Sequence, residues 1–421
     1  MKEMKRILVV KAMVLGAVAC AFSSTGFAAT VQNGNGQGSI ASATEVNEAK
    51  HEAVRSSWMD RTDVVVGVGM KDSKETHTQH HYVGESSMRH DDLHTVTSKS
   101  LKSTEINKLY IETLQPITHY DENAKSVVFI QGRIGRSGEK ISSYKLDSYW
   151  EPARPAGTFI THDKQTDKKE SLGMNANIGI GYRRLSKGEH AYVGVNAFYD
   201  HVFKGGYKRV SGGVEYVAGL NEFHANLYRN LGTDDRKYIG LHGRSVVLGD
   251  PAGLYPYGRD SDTSLYNNGK VSYENHWMLS EKVAASGFDV GYSRTFKNAR
   301  WARVYADYYN WRGRSPVRVG YYKLNKRDAI KGFKVGAEFH ITPHLTLDTG
   351  YQTASHHLSG PYATLKYTIG TSKFAWRGGK HSESAITTAR SKMLDKVHRS
   401  DMVVQETVEE TYDHGVVDVG L

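Results

Sequence analysis

From residue 172 to 183 the chain runs LGMNANIGIGYR. Leu172, Met174, Ala176, Ile178, Ile180 and Tyr182 fall on one face of an extended chain. Gly173, Asn175, Asn177, Gly179, Gly181 and Arg183 fall on the other. Strand side chains alternate sides, so this segment predicts a strand with one greasy face and one that an ordinary core rejects. Its length suits a tilted bilayer crossing. GVNAFYDH (194–201) repeats the pattern, with Val195, Ala197 and Tyr199 set against Gly194, Asn196, Phe198 and Asp200. So do 210–218, 223–230, 288–296, 333–341, 345–352 and 362–369. Further candidates are 63–71, 106–116, 125–135 and 300–311, which makes twelve strands in all.

The links between them alternate in length. Short ones are 117–124, 186–189, 219–221, 297–299 and 342–344. The others are mostly longer: 72–105, 136–171, 202–207, 231–285, 312–331 and 353–360. Tight turns on one side and larger loops on the other mark outer-membrane barrels. An even strand number puts both barrel ends on the side of the tight turns.

That assigns a solvent to each face. The apolar face meets lipid, where a closed barrel leaves no backbone group unpaired. The polar face meets the lumen, with Arg183, Asp200, Glu215, Asp289, Lys334, Glu338, Asp348 and Lys366 on it. A narrow lumen favours their pairing across it. The glycines on that face are expected to make room for a C-terminal tail threaded through the lumen. The competing fold is a soluble all-β sandwich or lipocalin-like barrel. Against it stand the glycine on the polar face and the aromatic clustering in WARVYADYYNW (301–311), read as an interfacial girdle.

Composition narrows the setting. A basic start (Lys2, Lys5, Arg6), an apolar stretch to Phe22 and the small pair Gly26 and Ala28 predict a signal peptide over 1–28. A short periplasmic arm, 29–57, is expected next. The only cysteine, Cys20, lies in the leader, so no disulfide is available to an exported chain. Setting aside Lys2, Glu3, Lys5, Arg6 and Lys11 leaves 51 basic against 44 acidic residues, a net of +7 without a basic block. Nucleic acid is therefore not an expected partner.

After Ile369 the alternation stops. Residues 385–397 have the composition of a short helix, and 399–410 are extended and increasingly acidic. Three placements are open for the tail 371–421: in the periplasm, plugging the lumen, or threading it.

With IETLQPI (111–117), VVFIQGRIGR (127–136), NIGIGYR (177–183), GVNAFYDH, GGVEY (212–216), ANLY (225–228), ASGFDV (285–290) and YADYYNW (305–311), the chain resembles the intimin/invasin family, or inverse autotransporters, from about 58 to 406. The signature positions are Gly194, Asn196, Phe198, Tyr199 and Asp200. KMLDKVHRSDMVVQE (392–406) is similar to the segment that follows that barrel.

The resemblance implies an all-β, transmembrane, antiparallel up-and-down barrel of about twelve strands over 58–370 in the outer membrane. It also implies a C-terminal segment that enters the lumen as a helix, crosses it extended and reaches the cell surface. Implied partners are outer-membrane lipid, barrel-assembly and periplasmic chaperone machinery, and a host-cell receptor. Only about fifteen residues follow Glu406, so no separate passenger is expected. Adhesion or invasion would then run through the external loops. The alternative is a diffusion channel or a structural barrel.

Two clusters suggest chemistry. His77, His80, His81, His90 and His94 stand near Asp91 and Asp92, a donor set that suits zinc or copper. Their spacing matches no ligand signature, and a polar external loop accounts for them. His224 and His340 lie near lumen carboxylates, yet no nucleophile motif accompanies them. No catalytic, metal or cofactor site is expected.

Overall fold

A computed structural model describes residues 58–83, 90–120, 123–153, 158–231, 235–239, 245–248, 270–312, 318–319, 322–323, 329–354, 359–370 and 389–418. The expected leader and periplasmic arm lie outside these residues.

Twelve strands close into a ring. In order they are Thr62–Val83, His90–Pro116, Ser126–Arg136, Met174–Leu185, Ala191–Val202, Lys208–Ala218, Asn221–Asn230, Gly287–Phe296, Ala299–Trp311, Ile330–His340, Leu345–Gln352 and Gly360–Thr368. Each pairs antiparallel with the next. The last returns to the first, from Asp63 opposite Thr368 to Val68 opposite Ala363. This is the twelve-stranded barrel that the alternation and the link lengths predict. Taking the tight turns as the periplasmic side, Thr62–Val83 runs outward and Gly360–Thr368 inward.

The molecule is built inside out. Along Ala191–Val202, Val193 is 55% exposed and Val195 49%, while Asn196, Phe198 and Asp200 are buried. Arg183 and Arg209, among the most polar side chains, are wholly buried. In water the outer face would be an apolar patch wrapping the whole ring. That arrangement requires lipid outside it, and the soluble alternative does not survive it.

Four expectations need correction. The long external links 72–105, 136–171 and 231–285 are not simple loops. Thr62–Val83 and His90–Pro116 continue as one hairpin beyond the barrel, and Asp72–Val83 also pairs with Thr158–Ser171. That strand pairs with Glu139–Ala153. Lys270–Ala284 adds another strand, flanked by Asp235–Ile239 and Ser245–Leu248. Segments 72–105 and 139–171 mix polar residues onto both faces and carry no clear alternation to read, whereas Lys270–Ala284 does alternate, with Val271, Tyr273, Trp277, Leu279 and Val283 at every second or fourth position inside a long link.

Leu172 is not on the lipid face. It sits before its strand begins and packs inward with Val202, Ala284, Met402 and Val404. The aromatics of 301–311 do not form a single girdle. Tyr309 and Trp311 are buried inside with Tyr228 and Ile330. Tyr308 instead meets the rings of Phe288 and Phe333. Lastly, the helix-like composition of 385–397 corresponds, among the described residues, to a 3-10 turn, Ala389–Lys392. From Val403 to Asp418 the tail is a strand.

Candidate functional site: an occupied lumen

The signature stretch shows how the wall is built. Arg183 and Glu215 stand two strands apart, with Gly194 in register between them. Arg183 Nε and Nη2 donate to the two carboxylate oxygens of Glu215 at 2.7 and 3.0 Å. A Cβ on Gly194 would collide with that carboxylate. The bare backbone is therefore what lets the pair form over the intervening strand. Phe198 lies across Gly179, and Phe129 across Gly181, in the same way. These glycines make room for side chains of neighbouring strands rather than directly for the tail. The rings then carry cations. Arg183 stacks over Phe129 at 4.6 Å, and Arg399 of the tail over Phe198 at 4.4 Å. Asp200 receives Arg209 and both terminal nitrogens of Arg399, the latter at 2.8 and 2.6 Å. Tyr199 faces outward toward lipid, and Asn196 is buried inside.

From the periplasmic end outward, the tail meets the wall in a fixed order. Arg390 pairs with Glu189 beside a periplasmic turn and donates to the Ala124 carbonyl. Lys392 pairs with Glu222, and Lys396 with Asp63. Arg399 pairs with Asp200, and Asp401 with Arg133 and Lys108. Backbone groups are held as well. Arg183 donates to the carbonyls of Met393 and Asp395 at 2.9 and 2.6 Å. Asn226 donates to that of His398, and Arg209 to those of Ser400 and Asp401. The Val397 amide donates to Gln131, and the Ser400 amide to Tyr228 and Asp289. An extended segment inside a barrel has no sheet to join, so wall side chains supply its hydrogen bonds.

Apolar contacts bracket this polar stretch. Ala389, Met393, Leu394 and Val397 pack against Leu114, Val127, Phe129, Leu185, Tyr192 and Val217 in the inner half. Met402 and Val404 pack with Leu172, Val202 and Ala284 at the outer mouth.

The opposite wall is less closely filled. A cavity of about 250 Å³ lies between it and the tail. Glu338 binds Arg303 and, at 2.8 Å, Lys366. Asp348 accepts from Tyr305 at 2.5 Å, and Tyr305 bonds Tyr362. Lys334 stands over those two rings at 5.2 and 4.7 Å. Asp289 accepts from Asn226 and Tyr228 at 2.7 and 2.6 Å. So Arg183 and Glu215 lie on the tail-bearing wall, Asp289 between the walls, and Lys334, Glu338, Asp348 and Lys366 on the cavity side.

Sequence reasoning missed Glu112, Arg133, Arg209, Glu222, Arg303 and the charged tail residues. The available signal was the density of charge along the tail, with Arg390, Lys392, Asp395, Lys396, Arg399 and Asp401 within twelve residues.

His224 lies 3.8 Å from Asp289 and 3.7 Å from Asp307, within this ion network. His340 Nδ1 is 3.0 Å from the Thr346 hydroxyl. Outside the barrel, His77 Nε2 and His162 Nδ1 are 2.9 Å apart. Among the described residues no group of three His, Cys, Asp or Glu side chains is arranged to hold a metal ion. The side chains of His81, His90 and His94 lie outside the described residues.

Past the outer mouth the tail joins the external sheet. Val403 to Thr411 pairs parallel with Glu139 to Asp147. Val404 to Asp418 pairs antiparallel with Lys270 to Ala284. Glu406 sits between Lys140 and Lys282, each 2.6 Å away, and accepts from Ser142 at 3.2 Å. Burial works against its charge, but the two ammonium groups outweigh it and hold the carboxyl below its usual range. Glu410, bonded to Tyr144, is pushed the other way by burial.

The family model described as the inverse autotransporter β-domain matches residues 158–401. No curated protein matches. Among solved structures, a chain from a study of the in-meso crystallization of membrane proteins aligns at TM-score 0.43 and 13% identity, covering 82% of this chain and 99% of its own. The transport unit of the autotransporter AIDA-I from Escherichia coli aligns at TM-score 0.24 and 13% identity, covering 72% and 90%. The β-domain of the Bordetella autotransporter BrkA aligns at TM-score 0.22 and 9% identity, covering 72% and 99%.

Proposed function

The chain belongs to the inverse autotransporter β-domain family, and on that premise we propose that this outer-membrane barrel passes its own C-terminal segment through the lumen and presents it at the cell surface. The observation that carries the reading is the ordered series of contacts from Arg390 at the periplasmic turns to Met402 at the outer mouth. The lumen binds the backbone through arginine and asparagine donors and neutralises four tail cations with wall carboxylates. That is the chemistry needed to hold a polar, extended chain inside a membrane.

We further propose that the external strands contribute to adhesion to, or invasion of, host cells. The hairpin extension 72–105, the pair 139–171 and the tail strand build a polar platform above the membrane, of the kind a receptor meets first. The barrel-assembly machinery and periplasmic chaperones would handle the chain before it reaches that position.

An epitope tag after Leu421 tests the export reading. It is expected to be cut by protease added to intact cells. Protection until the outer membrane is opened would rule the reading out. A diffusion channel is the second reading, favoured by the polar cavity of about 250 Å³ beside the tail. Deleting the paired segment from Asp72 to Glu105 is expected to lower cell binding if the external strands are adhesive.

A further inference from the structure

The pairing above the barrel has a feature that export through the lumen does not require. Strands Glu139–Ala153 and Lys270–Ala284 approach from different loops and leave a gap one strand wide. The tail fills it, parallel to one and antiparallel to the other. The loop strands have separate supports. Glu139–Ala153 is held on its far side by Thr158–Ser171, which in turn rests on Asp72–Val83. Lys270–Ala284 carries Asp235–Ile239 and Ser245–Leu248. Neither rim depends on the tail for all of its pairing.

From this the geometry points to a surface strand-binding slot. Its rims are 139–147 and 270–284, its ligand is an extended peptide segment carrying a carboxylate, and its resident ligand is the chain's own 403–411. The inference rests on the proposal that the tail is exported.

Backbone pairing on both edges accepts any extended sequence, so by itself it leaves the register open. The side chains fix it. Lys140 and Lys282 converge from opposite rims on one carboxylate, and Ser142 bonds the same group. A strand shifted by one residue turns Glu406 to the other face, and one shifted by two puts Val404 or Val408 between two ammonium groups. At the mouth, the Glu139 amide donates to the Met402 carbonyl and the Ala285 amide to that of Val403. These bonds start both ladders where the lumen ends. The slot thus stops the outgoing chain at one register and holds it there.

Paired cysteines in the full-length protein on intact cells test this, with Cys20 replaced by Ser so that no other thiol is present. Thr407 is in register with Ser143 on one rim and Glu281 on the other. Asp167 lies one strand beyond Ser143. That is about 10 Å from Thr407, beyond the reach of a disulfide. Thr407→Cys is expected to crosslink under mild oxidation with Ser143→Cys and with Glu281→Cys, but not with Asp167→Cys.

Glu406→Lys is expected to abolish both crosslinks, and adding Lys282→Glu to recover them. A tag after Leu421 stays surface-accessible throughout, and a heat-dependent gel shift reports that the barrel has formed. Crosslinking that survives Glu406→Lys unchanged overturns the slot, as does crosslinking to Asp167→Cys. A surface-accessible tag without either rim crosslink overturns the slot but leaves export standing. A tag shielded inside the cell overturns export itself.

Discussion

At Gly179 a hydrogen atom where other residues carry a side chain decides how the tail is held. The ring of Phe198 rests on that bare backbone, Arg399 stacks on the ring, and the same guanidinium binds Asp200. A methyl group at 179 strikes the ring near its own Cβ, where it cannot simply swing aside. Gly179→Ala is therefore expected to cost about 1–3 kcal/mol by overpacking, read as a lower temperature for the heat-dependent gel shift. Gly212 is the control, since a Cβ there meets nothing closer than the Asn196 carbonyl at 3.9 Å and points to lipid. Gly212→Ala is expected to stay within about 0.5 kcal/mol. Equal effects at the two sites would remove the ring from the account. The glycines of the polar face were visible in the sequence, and so was the fact that they make room. What fills the room depends on strand register, which alternation does not report. Arg183 and Glu215 are 32 residues apart, and only pairing through Gly194 makes them partners.

The barrel strands were legible because lipid outside and a polar lumen inside impose a period of two on every crossing. That constraint ends at the membrane surface. The extensions 72–105 and 139–171 carry Lys, Thr, Ser and His on either face, even where one face is buried, as at Asp72, His162 and Lys169, so their strand character is silent. The tail was legible as extended over 399–410, but its partners, which come from two distant loops, were not. Charge is what identifies its seat. Glu406 lies below the ordinary carboxylate range, so its contribution to docking is full above that range and lost as the pH falls through its depressed value. Glu410, raised by burial, works in the opposite sense and gains as it takes up a proton. Amide exchange of 403–411 in the full-length protein is therefore expected to quicken below the usual carboxylate range. Glu406→Gln should abolish that acid-side change. Acid-quickened exchange that persists unaltered in Glu406→Gln would move the effect to another group.

For the molecule as a whole, the decisive matter is whether the lumen conducts. Beside the tail lies a polar cavity, which taken alone suggests a channel. Its two ends bear apolar packing: Met393, Leu394 and Val397 against Leu114, Val127, Phe129 and Leu185 on the periplasmic side, and Met402 and Val404 against Leu172, Val202 and Ala284 outside. Ions crossing there must shed water against aliphatic side chains, and the tail itself fills the path. The full-length protein in a planar bilayer is accordingly expected to be almost silent. Deleting 389–421 removes both seals and the charges that neutralise Glu222, Asp63 and Asp200, and should leave a steady, cation-preferring conductance. Met393→Ala with Leu394→Ala loosens one seal, each truncation costing about 2–5 kcal/mol of packing, and should give brief openings between long closures. A large steady conductance in the intact chain would make the channel reading the better one. Silence in the deletion variant, with the barrel formed, would mean that the wall closes without the tail. The wall charges argue against that second outcome: Asp200, Glu222 and Asp63 each lose a tail cation, and although Arg209, Arg303 and Thr368 still bind them, the oxygens the tail leaves bare draw water into the lumen.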